Sequence, residues 1–125
     1  MTTKKRPVNL DIGTIQLPVT AYASILHRIS GVALFFAAGI FLWVLDGSLS
    51  SSAGFDAIKE CLQSPLAKLV IWGCLSFLAY HFVAGIRHLI MDMGVGESLE
   101  GGRTGAKLVF VCSVVLILLA GVWVW

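Results

Sequence analysis

The sequence predicts an all-α integral membrane protein, and its composition is the first reason. Hydrophobic residues make up 58% of the 125 residues and charged residues only 13%. A soluble domain of this size has too much surface to cover with so few charges, so the excess apolar surface must face lipid. The net charge of +2 is too small to indicate a nucleic-acid-binding protein.

Three charge-free windows then predict three transmembrane helices. The windows are Ile29–Leu45, Leu69–Ile86 and Leu108–Trp125. Each contains 17 or 18 residues, close to the roughly 20 that a helix needs to cross about 30 Å of hydrocarbon. Their apolar residues run continuously, which excludes the alternating pattern of a transmembrane β-barrel.

The connecting segments are short and polar. Asp46–Pro65 is rich in serine and glycine, and its part Asp56–Leu62 is predicted to form a short interfacial helical turn. Gly94–Thr104 is glycine-rich and is predicted to be a loop. The chain is therefore one membrane domain, residues 1–125, with approximate spans 21–48, 66–91 and 107–125.

The distribution of lysine and arginine predicts the orientation. If the N-terminus is cytoplasmic, seven of these residues lie inside: Lys4, Lys5, Arg6, Arg28, Arg87, Arg103 and Lys107. Only Lys59 and Lys68 lie outside. The positive-inside rule therefore predicts a cytoplasmic N-terminus and a periplasmic C-terminus. The chain has neither a cleavable signal peptide nor an Arg- and Ser-rich presequence, which favours a bacterial cell inner membrane.

Polar side chains at the inner end of the first span form one candidate site. Ser24, His27 and Arg28 have i, i+3 and i+4 spacing, which places them on one helical face. Such a patch is either an interfacial group with a snorkelling arginine or a ligand site. The ligand would carry carbonyl or carboxylate oxygens, which arginine binds by charge-assisted hydrogen bonds.

His81 is the candidate at the greatest membrane depth. It lies about ten residues, or roughly 15 Å, from the inner end of its helix, which is too deep for snorkelling. Such a histidine is either a hydrogen-bonded structural residue or a ligand of a metal or heme iron. His88 follows at i+7 on the same face, roughly 10.5 Å nearer the cytoplasm. Arg87 and His88 are thus expected near the propionates of a heme on His81.

The spacing predicts that a heme here needs a second polypeptide. Because His27 and His88 are both placed at the inner surface, His81 is the one deep histidine. A second axial ligand must then come from a partner subunit. Asp92, directly after the second span, is either a solvated acid at a helix end or a candidate proton route.

Two motifs combine these residues. The first runs from Arg6-Pro7-Val8 to Ser24-x-x-His27-Arg28-x-Ser30. The second is His81-x-x-x-Gly85-Ile86-Arg87-His88-Leu89-x-Met91-Asp92-x-Gly94. In sequence, in order and in their three-span layout, they resemble the cytochrome b subunit of bacterial succinate dehydrogenase, the larger membrane anchor of complex II. The resemblance covers nearly the whole chain.

The resemblance implies a role for each candidate residue. His81 matches the axial ligand of heme b, with the other axial histidine supplied by the smaller anchor subunit. His27, Arg28 and His88 match positions near the heme propionates. Ser24 and Arg28 match residues that line the ubiquinone pocket. Asp92 stays a candidate proton route.

The resemblance also implies a function and partners. The three helices are expected to pack with the partner anchor subunit around the heme and to form part of the ubiquinone reduction site. Succinate oxidation is expected on a flavoprotein subunit with FAD, and an iron–sulfur subunit with its clusters completes the complex. Two alternatives stay open: a membrane subunit of a fumarate-reducing complex, and a purely structural anchor without heme.

Overall fold

The computed structural model describes Asp11 and residues 13–125, and α-helix is the only regular secondary structure in this part of the chain. The helices are α1 (Val19–Ser50), α2 (Ser52–Leu62), α3 (Pro65–Asp92) and α4 (Leu99–Val124). α1, α3 and α4 are each long and apolar enough to cross a membrane, with mean hydropathies of 2.0, 1.9 and 2.6 in their apolar segments. The predicted all-α class is confirmed. Lys4, Lys5 and Arg6-Pro7-Val8 lie outside the described residues.

Serine residues begin three of these four helices. The side-chain oxygens of Ser51, Ser64 and Ser98 each accept a hydrogen bond from the backbone N–H three residues later. Each bond satisfies one of the amide groups that the first turn of a helix leaves free. Pro65 follows Ser64 at the first helical position, where a missing N–H does no harm.

The connections between the long helices are tighter than the sequence predicts. Instead of a short turn at Asp56–Leu62, the 11-residue helix α2 fills Ser52–Leu62. The second connection is confined to residues 93–98, between α3 and α4. Gly94 and Gly96 turn the chain there with φ angles of 81° and 79°, which glycine adopts without steric strain.

The predicted loop Gly94–Thr104 is wrong in its second half, because α4 begins at Leu99. The low helix propensity of glycine favours a loop in that segment, but packing against α3 outweighs it. A Cβ atom on Gly105 would lie 3.2 Å from Nε of Arg87. Glycine at this position therefore lets the two helices approach closely, as small residues do in membrane bundles.

The helices pack through small side chains. The buried residues in the described part of the chain are Ala23, Ser30, Ala37, Cys74, Ala84, Gly102, Ala106, Val109 and Ser113. Large apolar side chains point outward, and Phe35 and Val122 are 77% and 82% exposed. This distribution suits lipid, where close packing of backbones holds helices together.

α3 packs against both α1 and α4, and hydrogen bonds join it to each. Tyr80 Oη donates to the carbonyl of Ala23 in α1 at 2.8 Å. Trp72 Nε1 donates to the carbonyl of Ile117 in α4 at 2.9 Å. These bonds set the register of α3 against its neighbours and so fix the place of the histidines between α1 and α3.

Candidate functional site

Three histidine rings form a cluster between α1 and α3. The rings of His27 and His81 are stacked, with centroids 4.1 Å apart and planes inclined by 18°. The ring of His88 lies 5.0 Å from that of His27, at 47°. All three side chains are half-buried. The fold thus brings together, from two helices, the three histidines of the sequence.

Two glycines make room for the stacked rings. Gly31 follows His27 by four residues, and Gly85 follows His81 by four, so each pair shares a helical face. A Cβ atom on Gly31 would lie 3.2 Å from Cε1 of His81, and one on Gly85 would lie 3.9 Å from Nε2 of His27. Each imidazole therefore lies over the glycine of the opposite helix.

Hydrogen bonds fix which nitrogen of His81 carries the proton. Nδ1 lies 3.1 Å from the carbonyl oxygen of His27 and 3.0 Å from Oγ of Ser30. A carbonyl oxygen can only accept, so Nδ1 is the protonated nitrogen and donates. The Ser30 hydroxyl donates to the same carbonyl at 2.8 Å, which leaves its lone pairs to accept from Nδ1. When Nδ1 carries the only ring proton, Nε2 of His81 presents a lone pair.

His27 lies between His81 and His88 in the order that the helices give. It follows the first residue of α1, Val19, by eight residues, or roughly 12 Å. His88 and His81 precede the last residue of α3 by four and eleven residues, or roughly 6 Å and 16 Å. The antiparallel packing of α1 on α3 therefore places the His27 ring between those of His81 and His88, 4.1 Å from the first and 5.0 Å from the second.

Nε2 of His27 is buried and has no hydrogen-bond partner among the described residues. Leaving a buried polar group unpaired costs about 1–3 kcal/mol, and native proteins rarely do so. Nε of Arg87 and Oγ of Ser113 share this property, but Nε2 of His27 is the one of the three that lies in the histidine cluster.

Ser24 and Arg28 lie one turn apart on α1, beside the histidine cluster. Ser24 is half-buried and Arg28 is exposed. Neither side chain forms a hydrogen bond or ion pair with another described residue, so a hydroxyl and a guanidinium are available to a ligand. Of the predicted polar patch on α1, only His27 belongs to the histidine cluster.

Comparison with known proteins places this geometry in a family. The profile of the succinate dehydrogenase/fumarate reductase transmembrane subunit matches residues 2–120. The chain is 43% identical over 122 residues to the succinate dehydrogenase cytochrome b556 subunit of Coxiella burnetii, covering 97% of this chain and 98% of that protein. Proteins of the same name from Rickettsia felis and Paracoccus denitrificans are 37% and 32% identical over 125 and 114 residues. These matches cover 96% and 91% of this chain and 92% and 88% of those proteins.

The chain belongs to the succinate dehydrogenase/fumarate reductase transmembrane subunit family. The resemblance given by the two motifs is thereby confirmed. The three long apolar helices are those of a transmembrane family, so the predicted multi-pass membrane fold is confirmed as well. As a member, the chain is a transmembrane subunit of the succinate dehydrogenase/fumarate reductase type.

Within this family member, Arg87 and Asp92 lie apart from the histidine cluster. Arg87 Nη2 donates to the carbonyl of Gly102 in α4 at 3.3 Å. At 100° per residue, Arg87 is about 120° around the helix from His81, whereas His88 shares its side. Arg87 therefore faces α4 rather than accompanying His88. Asp92 is the last residue of α3 and is exposed.

Three residues of the site have no role assigned from the sequence: Ser30, Gly31 and Gly85. Ser30 and Gly85 occur in the two motifs but without a stated contact, and Gly31 lies just after the first motif. The repeated spacing His-x-x-x-Gly, once on α1 and once on α3, is the signal that could have identified both glycines. Nothing in the spacing alone indicates that Ser30 reaches a histidine of another helix.

The cluster suits an axial ligand of heme iron better than a metal site built from this chain alone. Within the described residues, no group of three or more His, Cys, Asp or Glu side chains could hold a metal ion. A heme iron requires only axial ligands from protein. His81 fits that requirement, since metal-ligating histidines characteristically donate their other ring N–H to a backbone carbonyl or a carboxylate.

Proposed function

We propose that this chain is the membrane anchor and electron-transfer subunit of succinate dehydrogenase. It holds heme b through His81 and forms part of the ubiquinone reduction site with Ser24 and Arg28. The observation that supports this most is the donation from Nδ1 of His81 to the His27 carbonyl, which leaves Nε2 with a lone pair. The names of the relatives, cytochrome b556 subunits, agree with a heme.

The second axial ligand is assigned to the smaller anchor subunit. Two axial ligands approach a heme iron through their ring nitrogens from opposite faces of the porphyrin. His27 and His81 are instead stacked face to face with centroids 4.1 Å apart, which leaves no space for a porphyrin between them. His27 and His81 would therefore not hold one iron between them, and a heme held by His81 would take its other ligand from the smaller anchor subunit.

His27, Arg28 and His88 are assigned to the propionate region. The ring of His88 lies on the inner side of the stack, and Nε2 of His27 has no partner in the described chain. Arg28 adds a permanent positive charge on α1. Imidazole N–H groups and a guanidinium are suitable donors for carboxylates. The heme itself, when bound, supplies one-electron redox chemistry.

Ser24 and Arg28 are assigned to the ubiquinone pocket. The Ser24 hydroxyl donates a hydrogen bond to a quinone carbonyl oxygen. The Arg28 guanidinium stabilises the negative charge that develops on quinone oxygen during reduction, because a preorganised cation needs no rearrangement when the charge appears. Asp92, exposed at the end of α3, is proposed to pass protons toward the reduced quinone.

Succinate oxidation is assigned to partner subunits. These are a flavoprotein with FAD, an iron–sulfur protein with its clusters, and the second small membrane anchor. The complex is placed in the bacterial cell inner membrane with the N-terminus cytoplasmic and the C-terminus periplasmic, in line with the lysine and arginine distribution. Succinate oxidation is preferred over fumarate reduction because the relatives are named for succinate dehydrogenase.

Reduced-minus-oxidised spectra of the purified complex test the proposal. We expect a b-type signal in the wild type that is lost or altered in His81→Leu. Because the His27 ring is only 4.1 Å away and can replace the missing imidazole, His27→Leu/His81→Leu is measured alongside and is expected to lose the signal. Trp72→Phe, which changes an aromatic side chain of the same helix, is the control and keeps it. A wild-type complex without a b-type signal contradicts the proposal, as do unchanged spectra in both His81 variants.

A further inference from the structure

Ser30 is a buried polar residue to which the proposed function gives no role. It is 2% exposed, and its hydroxyl donates to the carbonyl of His27 at 2.8 Å. Its Oγ also lies 3.0 Å from Nδ1 of His81. The carbonyl and the hydroxyl therefore form a pair of acceptors, both on α1, that face one imidazole N–H on α3.

Resting on the proposed heme at His81, we propose that Ser30 is a positioning residue that adjusts the electron donation of this axial ligand. A stronger hydrogen bond from Nδ1–H makes the imidazole a more basic ligand. A more basic ligand stabilises ferric iron more than ferrous iron and so lowers the midpoint potential of the heme. The second acceptor supplied by Ser30 thus holds the potential lower than the carbonyl alone would.

The surroundings of His81 explain why the second acceptor matters. The His27 carbonyl lies inside α1, where carbonyl oxygens also serve the hydrogen bonds of the helix, so its capacity to accept from Nδ1–H is limited. Removing the Ser30 hydroxyl frees the part of that capacity that it uses, but it also removes the nearer of the two acceptors, which lies 3.0 Å from Nδ1 against 3.1 Å for the carbonyl. Because the hydroxyl proton is engaged at that carbonyl, Oγ of Ser30 can only accept from Nδ1.

Gly31 also contributes to this geometry, since a Cβ atom at its position would lie 3.2 Å from Cε1 of the His81 imidazole. The ring therefore rests directly on the α1 backbone, within reach of both acceptors. Ser30 and Gly31 together fix the distance and the rotation of the imidazole, and the hydroxyl is the part of this arrangement that one substitution removes.

Redox titration of the heme in the assembled complex tests the role of Ser30. We expect the midpoint potential of Ser30→Ala to lie above that of the wild type. Ser30→Cys, whose thiol is a weaker acceptor of similar shape, is expected to shift in the same direction, and Ser30→Thr, which restores a hydroxyl, to return toward the wild-type value. The matched control is Ser113→Ala, because Ser113 is also 2% exposed but its hydroxyl has no partner in the described chain.

A merely structural role for Ser30 would reduce stability without this ordered shift in potential. Electron paramagnetic resonance of the ferric heme gives a second readout, since its g values report the ligand field of the imidazole. The proposal is overturned if the midpoint potential of Ser30→Ala and Ser30→Cys stays unchanged, falls, or rises only as much as that of Ser113→Ala. That result would leave the assignment of His81 as ligand intact. Failure of the proposed heme ligation by His81 gives a different result, because the b-type signal would then survive unchanged in His27→Leu/His81→Leu.

Discussion

The two interfaces of α3, with α4 and with α1, share one packing arrangement but differ in whether the ring at the interface has a second nitrogen. On the α4 side, Trp72 Nε1 donates to the carbonyl of Ile117 at 2.9 Å. The indole lies over Gly121, where a Cβ atom would be 3.1 Å from Nε1. The glycine follows the accepting carbonyl by four residues, so both lie on one face of α4.

The α1 side repeats this arrangement with a histidine. His81 Nδ1 donates to the carbonyl of His27 at 3.1 Å. The imidazole lies over Gly31, where a Cβ atom would be 3.2 Å from Cε1. Again the glycine follows the carbonyl by four residues.

The two rings differ in the number of nitrogen atoms, and this gives the two interfaces different chemical capacities. An indole has one nitrogen, which is used by the hydrogen bond, whereas an imidazole has a second that presents a lone pair. The Trp72 interface can therefore only hold helices together, whereas the His81 interface also presents the nitrogen that would bind the proposed heme iron. Perturbing either interface is expected to reduce stability, but only the α1 side should alter redox chemistry.

The largest effect is expected where α1 meets the quinone. Arg28→Leu should slow ubiquinone reduction by about 10²-fold, since it removes a preorganised charge at the reacting oxygen, and Ser24→Ala should slow it less. Succinate oxidation with an artificial acceptor dye should persist in both. Arg103→Leu, which changes an exposed arginine of α4, is the control. Wild-type quinone activity in Arg28→Leu would place the pocket elsewhere, and equal loss of both activities would indicate failed assembly.

An intermediate effect is expected from filling the two glycine contacts. Gly31→Ala and Gly121→Ala introduce methyl groups at 3.2 Å and 3.1 Å from a ring atom, and each should destabilise the complex by about 1–3 kcal/mol. Only Gly31→Ala should also change the heme spectrum, because it displaces His81. Thermal unfolding and difference spectra of the detergent-solubilised complex measure both quantities. Equal spectral changes in the two variants would remove the distinction between the interfaces.

The smallest effect is expected from the indole hydrogen bond. Trp72→Phe keeps most of the ring but loses one hydrogen bond, so stability should fall by about 1 kcal/mol with the heme spectrum unchanged. Trp123→Phe is the matched control, because Trp123 is 80% exposed and its substitution should leave the thermal midpoint almost unchanged. A spectral change in Trp72→Phe would show that the α4 side also influences the heme.

The sequence alone predicts the features that depend on lipid. Charges are excluded from hydrocarbon, so charge-free windows identify the long helices, and His81 is conspicuous because ionisable groups are rare at that depth. The family motifs add the roles of the candidate residues. These inferences need only the position of a residue along one helix.

Features that depend on how two helices meet are not predictable in this way. The contacts of the His27 ring with both His81 and His88 follow from the antiparallel packing of α1 on α3. The early start of α4 follows from the contacts of Arg87 with the Gly102 carbonyl and with Gly105, although the low helix propensity of glycine favours a loop. The contact of Ser30 with His81 joins residues 51 positions apart, and no local pattern in the sequence encodes it.

Replacing the proposed ligand by one of different chemistry tests the central claim most directly. Near-infrared magnetic circular dichroism of the ferric complex distinguishes histidine–histidine from histidine–methionine coordination of heme. We predict a histidine–histidine signal in the His27→Leu complex and a histidine–methionine signal in His27→Leu/His81→Met, with a raised midpoint potential because a thioether replaces an imidazole. A histidine–histidine signal that persists in the second complex would contradict His81 as the iron ligand.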